Sequence, residues 1–137
     1  MAMTSKPAIE LTEAEWAIIK AVWAHEPCAA PTIQEALLQS KRWAYSTVRT
    51  LMDRMAGKGL LRMEKIRHMT LYRSAVTRQQ AQQSELLYAL KHAFNDALTP
   101  MMQGLLETRD LSVAELTELE ALLREKRKQA GKEKSKK

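Results

Sequence analysis

The sequence predicts a mainly α fold carrying one small β hairpin, and three observations support that reading. Apolar residues recur at i, i+3, i+4 and i+7 along most of the 137 residues, the spacing of one buried helix face. Thr12 with Glu15, Thr32 with Glu35, and Ser112 with Glu115 each stand three apart ahead of an apolar run, the capping-box signature of a helix start. Two short runs, residues 60–66 and 69–75, break the helical pattern with partial apolar–charged alternation on either side of Arg67 and His68.

The first helix starts at the Thr12 box, where Leu11 and Trp16 are placed for a hydrophobic staple. It carries Trp16, Ile18, Ile19, Val22 and Trp23 inward and ends near His25, Glu26 and Pro27. Two tryptophans on so short a helix mean a large buried area, hence core and not a stacking platform for bases. Cys28, Ala29 and Ala30 are short and extended enough for a single β bridge. Thr32 then caps a second helix, with Ile33, Ala36 and Leu37 on its apolar side and an end near Ser40. The connection to the third helix exceeds the tight turn of a minimal helix-turn-helix, which favours a winged variant. The hairpin follows where the wing would stand, with Leu61 and Met63 set against Arg62 and Glu64, and Leu71 against Tyr72 and Arg73.

From Thr77 the chain turns helical again. Leu86, Leu87, Leu90, Phe94 and Leu98 form one stripe with Ala93 and Ala97 beside it. Pro100 falls in the first turn of the next helix, where its missing N–H costs nothing, and Met101, Met102, Leu105 and Leu106 make that helix apolar on one side. Ser112 opens the last helix, with Leu116, Leu119, Leu122 and Leu123 inward. After Arg124 no apolar anchor remains, and the tail is expected to fray. The segments are thus 9–76, a winged helix-turn-helix domain, 77–125, a helical dimerisation arm, and 126–137, a basic disordered tail. Helices this apolar behind so small a domain call for another copy of the chain.

The third helix is the centre of the molecule. In the stretch KRWAYSTVRTLMDRMAGKG, Val48, Leu51, Met52 and Met55 form an apolar stripe, while Ser46, Arg49, Thr50 and Asp53 line another side with Arg54 beside them. Gly57 and Gly59 stop the helix. An arginine there can fork onto guanine O6 and N7, and hydroxyls can reach bases or phosphates. Asp53, at i+4 from Arg49, is placed to pair with and orient it.

Charge agrees. The net of +6 is segregated into −3 over residues 1–40, +8 over 41–78, −5 over 79–123 and +6 over 124–137. Such basic blocks attract a polyanion, with nucleic acid the commonest. No apolar run approaches the roughly 20 residues of a membrane span, the first residues lack an apolar signal core, and one cysteine cannot form an internal disulfide. The expected compartment is the cytoplasm. His25 and Cys28 stand three apart, but no second pair completes a metal site, and Cys28 reads as a small buried residue. Neither a catalytic constellation nor a small-molecule substrate or cofactor motif is present.

The stretches LTEAEWAIIKAVW, PTIQEALL, YSTVRTLMDRMAGKGLL and LYRSAV together resemble the penicillinase-repressor group of transcriptional regulators, the BlaI/MecI/CopY family, over about residues 9–125. The resemblance implies a winged-helix reading head, a dimerisation arm and repression at a promoter palindrome. It places Ser46, Thr47, Arg49 and Thr50 on the major-groove side and the wing against the backbone or minor groove. Tyr45 and Arg54 join the recognition-helix set. Arg62, Lys65, Arg67, His68 and Arg73 are the wing's candidates, and Trp43 seats the helix. The dimer contacts would come from Leu86, Leu87, Leu90, Phe94, Leu98, Met101, Met102, Leu105 and Leu106. Family members are released when a membrane sensor protease, or one it activates, leads to cleavage at an Asn-Phe bond. Gly104 and Leu105 stand at the nearest position here, a departure from that pattern. The cysteine cluster of copper-responsive members is absent. Against double-stranded DNA as partner stands a helical interaction module binding acidic proteins or a membrane surface. Within the repressor reading stands induction by a small molecule or metal.

Overall fold

Capping chemistry sets the first element of the computed structural model, which describes residues 9–135. Thr12 Oγ1 accepts from the Glu15 N–H (3.1 Å) and Glu15 Oε1 accepts from the Thr12 N–H (2.9 Å), so both halves of the box form. Helix α1 (Glu13–His25) follows. Its Ile18, Ile19 and Val22 are fully buried. Trp16 and Trp23 are half-buried at the core's edge with their rings edge to face at 6.2 Å. Cys28 makes the expected single bridge, to Tyr72.

The second helix differs from the sequence reading. Helix α2 spans Ala30–Ala36, with Ala29 at its N-cap and no side-chain cap, so Thr32 lies inside the first turn and its box with Glu35 does not form. Pro31 is the reason: its fixed φ and missing N–H suit the opening turn and pull the start forward. The helix also breaks at Leu37, and a single turn, α3 (Leu38–Lys41), completes the connection. Arg42 then takes a left-handed conformation (φ 55°) and reverses the chain into α4 (Tyr45–Gly57). Gly59, at φ 84°, turns it out again.

Strands β1 (Leu61–Ile66) and β2 (Met69–Ser74) pair antiparallel, with Ile66 opposite Met69, Met63 opposite Tyr72 and Leu61 opposite Ser74. Leu61 and Tyr72 are buried, whereas Leu71 is half-buried and Met63 exposed. Tyr72 is therefore a core residue; setting Leu71 against it as the inward side had the strand's pleat reversed. The core joins α1, α2, α4 and the hairpin through Ile18, Ile19, Val22, Ile33, Val48, Met52, Met55 and Tyr72, all fully buried.

Thr77 and Gln80 exchange the hydrogen bonds of a further capping box, unforeseen in the sequence, and open α5 (Arg78–Phe94). That helix stops at Phe94, so Leu98 belongs to the next element and the stripe from Leu86 to Leu98 is not one continuous face. Asn95 and Asp96 both take positive φ (50° and 65°), which short polar side chains tolerate best after glycine. Helix α6 (Leu98–Thr108) has Pro100 in its first turn, and Ser112 and Glu115 form their box at the start of α7 (Val113–Ser135).

The last helix runs to Ser135, well past Arg124 where fraying was expected. Its Lys, Arg, Glu, Gln and Ala are strong helix formers and need no apolar anchor to continue an existing helix. The N-terminal reading and the final two residues of the tail lie outside the described residues. The chain divides into two compact units, Met1–Ala89 and Leu90–Lys137, so the division falls within α5 and not at Thr77. The first half of α5 belongs with α1: Trp16 Nε1 donates to Glu85 Oε1 (3.1 Å), and Arg78 stacks over the Trp23 ring at 4.8 Å. Among the described residues no helix is long and apolar enough to cross a membrane.

Candidate nucleic-acid interface

Helix α4 presents two chemically distinct faces because its inner side is held without exposure. Val48, Met52 and Met55 are 0% exposed, which fixes the helix's rotation about its axis. On the outer side Tyr45, Ser46, Thr47, Thr50 and Arg54 are exposed and Arg49 is half-buried. All six recognition-helix candidates thus lie on one structural element, clear of the core. Trp43 packs against the core just before it, with Lys41 over its ring at 5.9 Å, and Gln34 Nε2 donates to its carbonyl. The N-cap residue, Ala44, offers no side-chain acceptor, so the first-turn N–H groups of α4 can take a phosphate oxygen.

Arg49 is tied on two sides. Its Nε donates to Asp53 Oδ2 at 3.2 Å and Oδ1 at 3.3 Å, and its Nη1 donates to the Tyr45 hydroxyl at 3.3 Å. The Tyr45 hydroxyl and the Asp53 carboxylate hold the guanidinium well above its ordinary pKa, so it carries its charge at any working pH. Asp53 is in turn held from below: the buried Tyr72 phenol donates to its Oδ1 at 2.7 Å. Burial, then the adjacent Asp53, push the Tyr72 phenol far above the usual tyrosine range, so it remains a donor. Sequence reasoning anticipated the Arg49–Asp53 pair but missed the third member.

The wing's basic residues do not form a single cluster. Pairing sets Arg62 directly opposite Arg73 on one face, while strand alternation places Lys65 on the other, the face of Tyr72. Arg67 and His68 form the turn, with Arg67 at φ 59°. All five are exposed. Two like charges directly opposite destabilise an isolated hairpin; a phosphate between them reverses the sign.

At the other end of α4, Lys58 Nζ donates to Glu15 Oε2 at 2.7 Å, fastening the end of the helix to the start of α1. Behind the hairpin, Trp23 Nε1 donates to Ser74 Oγ and the Val76 carbonyl, and Glu26 Oε1 accepts from the Ser74 N–H. Helix and wing are therefore braced against α1 independently of any ligand. Cys28 is buried, and its thiol pKa is raised first by burial and then by Glu26, which makes it inert. Among the described residues no group of three or more His, Cys, Asp or Glu side chains could hold a metal ion.

Comparison with known proteins gives the arrangement its family. The methicillin resistance regulatory protein MecI of Staphylococcus aureus (strain N315) is 26% identical over 117 residues, covering 85% of this chain and 95% of that protein. The penicillinase repressor of Bacillus licheniformis is 25% identical over 121 residues, covering 85% and 91%. The solution structure of the Bacillus licheniformis BlaI monomeric form in complex with the blaP half-operator covers 56% of this chain and 93% of that one, at 21% identity and a TM-score of 0.48. The family model described as penicillinase repressor matches residues 11–125, and the chain belongs to this family of transcriptional repressors.

Proposed function

We propose that this chain represses transcription as a homodimer on a palindromic operator, with α4 reading bases in the major groove and the β1–β2 wing holding the backbone. The observation that carries this reading is the outer face of α4, where Tyr45, Ser46, Thr47, Arg49, Thr50 and Arg54 form a polar and cationic surface over a fully buried inner stripe. It lies within the segment of net charge +8. Phosphate contacts from Lys65, Arg67, His68 and Arg73 would position the head, and base contacts from α4 would specify the sequence. Membership of the penicillinase-repressor family supports the choice of duplex DNA.

The dimer is supported by what the second unit leaves uncovered. None of its described residues from Leu90 onwards is fully buried, and Leu98, Leu105, Leu122 and Leu123 are 58%, 55%, 67% and 71% exposed. A groove between α6 and α7 is lined by Met102, Leu105, Leu106, Leu111, Leu119 and Leu122, with Arg109, Glu115 and Glu118 also on its walls. Apolar surface on this scale marks an interface, and a second copy presents the same surface with two-fold symmetry. Release by cleavage near Gly104 and Leu105, through a membrane sensor protease, is the induction route most in keeping with the family. In α6 the two residues lie mid-helix, so cutting requires that helix to open locally.

Selection of sites from a random duplex pool at near-physiological salt tests this reading. A recovered palindrome is the expected result. Binding without a consensus overturns it in favour of a module that recognises acidic surfaces by charge alone.

A further inference from the structure

We infer that Tyr72 is a positioning residue for base readout: its buried hydroxyl, acting through Asp53, fixes the Arg49 guanidinium in the geometry that contacts DNA, and so couples the wing strand to the recognition helix. The inference rests on the reading of α4 as the DNA-contacting helix.

Three features of the geometry support it. First, the Tyr72 ring is held rigidly. It is 0% exposed, and its backbone exchanges two hydrogen bonds with Cys28, N–H to carbonyl at 2.7 and 3.1 Å. Second, its hydroxyl donates at 2.7 Å to one oxygen of Asp53, the same carboxylate that receives Arg49 Nε through both oxygens. An i,i+4 pair on an exposed helix face holds its members only loosely. A donor from a different element, fixed in the core, converts that pair into a three-residue brace with one end immobile. Third, Tyr45 takes Arg49 Nη1 on the opposite side, while Nη2 meets no hydrogen-bond acceptor among the described residues. The guanidinium is thus pre-oriented with donors in reserve, and binding need not order a long side chain from many rotamers.

Asp53 also gains a reason to stand on a DNA-facing helix. An unpaired carboxylate there would repel phosphate. Bound by Arg49 and Tyr72 its charge is balanced, and it acts as a hinge between the two elements.

The test uses full-length Tyr72→Phe, which keeps the ring in the core and removes only the donor. Its readouts are the ratio of operator to scrambled-duplex affinity, and the Arg49 Nε–H signal in a 1H–15N spectrum of the protein without DNA. The expected result is a drop of about five- to tenfold in the ratio, with unchanged scrambled-duplex affinity and salt slope. The Nε–H signal should move toward that of a solvated arginine, and in an Arg49→Ala background Tyr72→Phe should change the ratio no further. A merely structural role would lower thermal stability without moving the ratio or the signal. Should Tyr72→Phe not fold, Asp53→Asn reads the same brace from its middle and should lose the ratio and the signal together. An unchanged ratio in Tyr72→Phe, with selectivity lost in Arg49→Ala, overturns the inference and leaves the function standing. A wild-type protein without operator preference overturns both.

Discussion

Replacing Lys58 with methionine tests how α4 is fastened to α1. The wild-type Lys58 ammonium donates at 2.7 Å to Glu15, whose side chain is only 5% exposed while that of Lys58 is 54% exposed. Burial alone would raise the Glu15 pKa; the hydrogen bond from Lys58, the Thr12 N–H and the Lys58 charge outweigh it and hold the carboxyl below its ordinary value. A depressed folded pKa contributes stability above the unfolded value, about 4.3, and that contribution is lost as pH falls through the folded value. A hydrogen bond to a charged group contributes about 1.5–3 kcal/mol. With Lys58 half in water the lower end applies, about 1.5 kcal/mol at pH 7. For a unit of this size that is a fall of roughly 6–12 °C in Tm. The three tryptophans, Trp16, Trp23 and Trp43, all lie in the first unit, so their fluorescence reports its unfolding alone. In Lys58→Met, Glu15 remains buried without its cation and its pKa rises, so the gap between the two proteins should be widest near neutrality and narrow as pH falls below the ordinary carboxylate range, closing once the wild-type Glu15 is protonated too. A gap that stays constant through the whole acid range until both proteins unfold, or no gap at pH 7, would refute the reasoning.

Arg49→Ala should reduce operator preference by about 1–3 kcal/mol, the value of a bidentate guanine contact, while ultracentrifugation still finds the dimer; normal operator binding would mean that the reading face is misassigned. Removing two wing charges with Lys65→Gln and Arg67→Gln should lower the slope of log affinity against log salt by about two units without changing sequence preference; a changed preference would place the wing in base readout. Leu105→Asp should shift sedimentation toward monomer at micromolar concentration, because an aspartate cannot be buried unpaired at an apolar interface; an unaltered dimer would move the interface elsewhere. Gly104→Ala meets no atom within 4 Å of the new Cβ and should stabilise α6 by about 0.5–1 kcal/mol, slowing proteolysis at that bond about two- to fivefold in a limited-digestion time course. Equal rates would show that cutting does not require α6 to open.

Elements whose information is local were legible in the sequence. The Thr12 box carries its own hydrogen-bond partners three residues apart, and α1 begins there. The stripe of Val48, Met52 and Met55 is a periodicity, and all three are buried. Elsewhere two local signals competed. At α2 the capping residue Thr32 lost to Pro31, which stabilises an earlier start. At the end of α5 the apolar stripe continued through Leu98, but the left-handed backbone of Asn95 and Asp96 stops the helix at Phe94. The Arg49–Asp53 pair lies on one helix and could be read from spacing; its tie to Tyr72 spans 19 residues and needs the register of the hairpin.

That register was nevertheless within reach, and it is where local sequence meets the outer face of α4. A two-residue turn at Arg67 and His68 sets Ile66 against Met69, and every further pair follows: Met63 faces Tyr72 and Leu61 faces Ser74. Directly paired residues share a side of the sheet. Once Leu61 is assigned to the core, Tyr72 must point the same way, and its hydroxyl is then the only part that needs a polar partner. Slipping the pairing by one residue would turn the phenol to solvent and release Asp53. The turn holds this register although Arg67 takes φ 59°, a conformation costing a non-glycine residue about 1–2 kcal/mol. The hairpin tip thus does two things at once: it presents charge, and by fixing which side of β2 faces inward it determines where the Arg49 guanidinium is held.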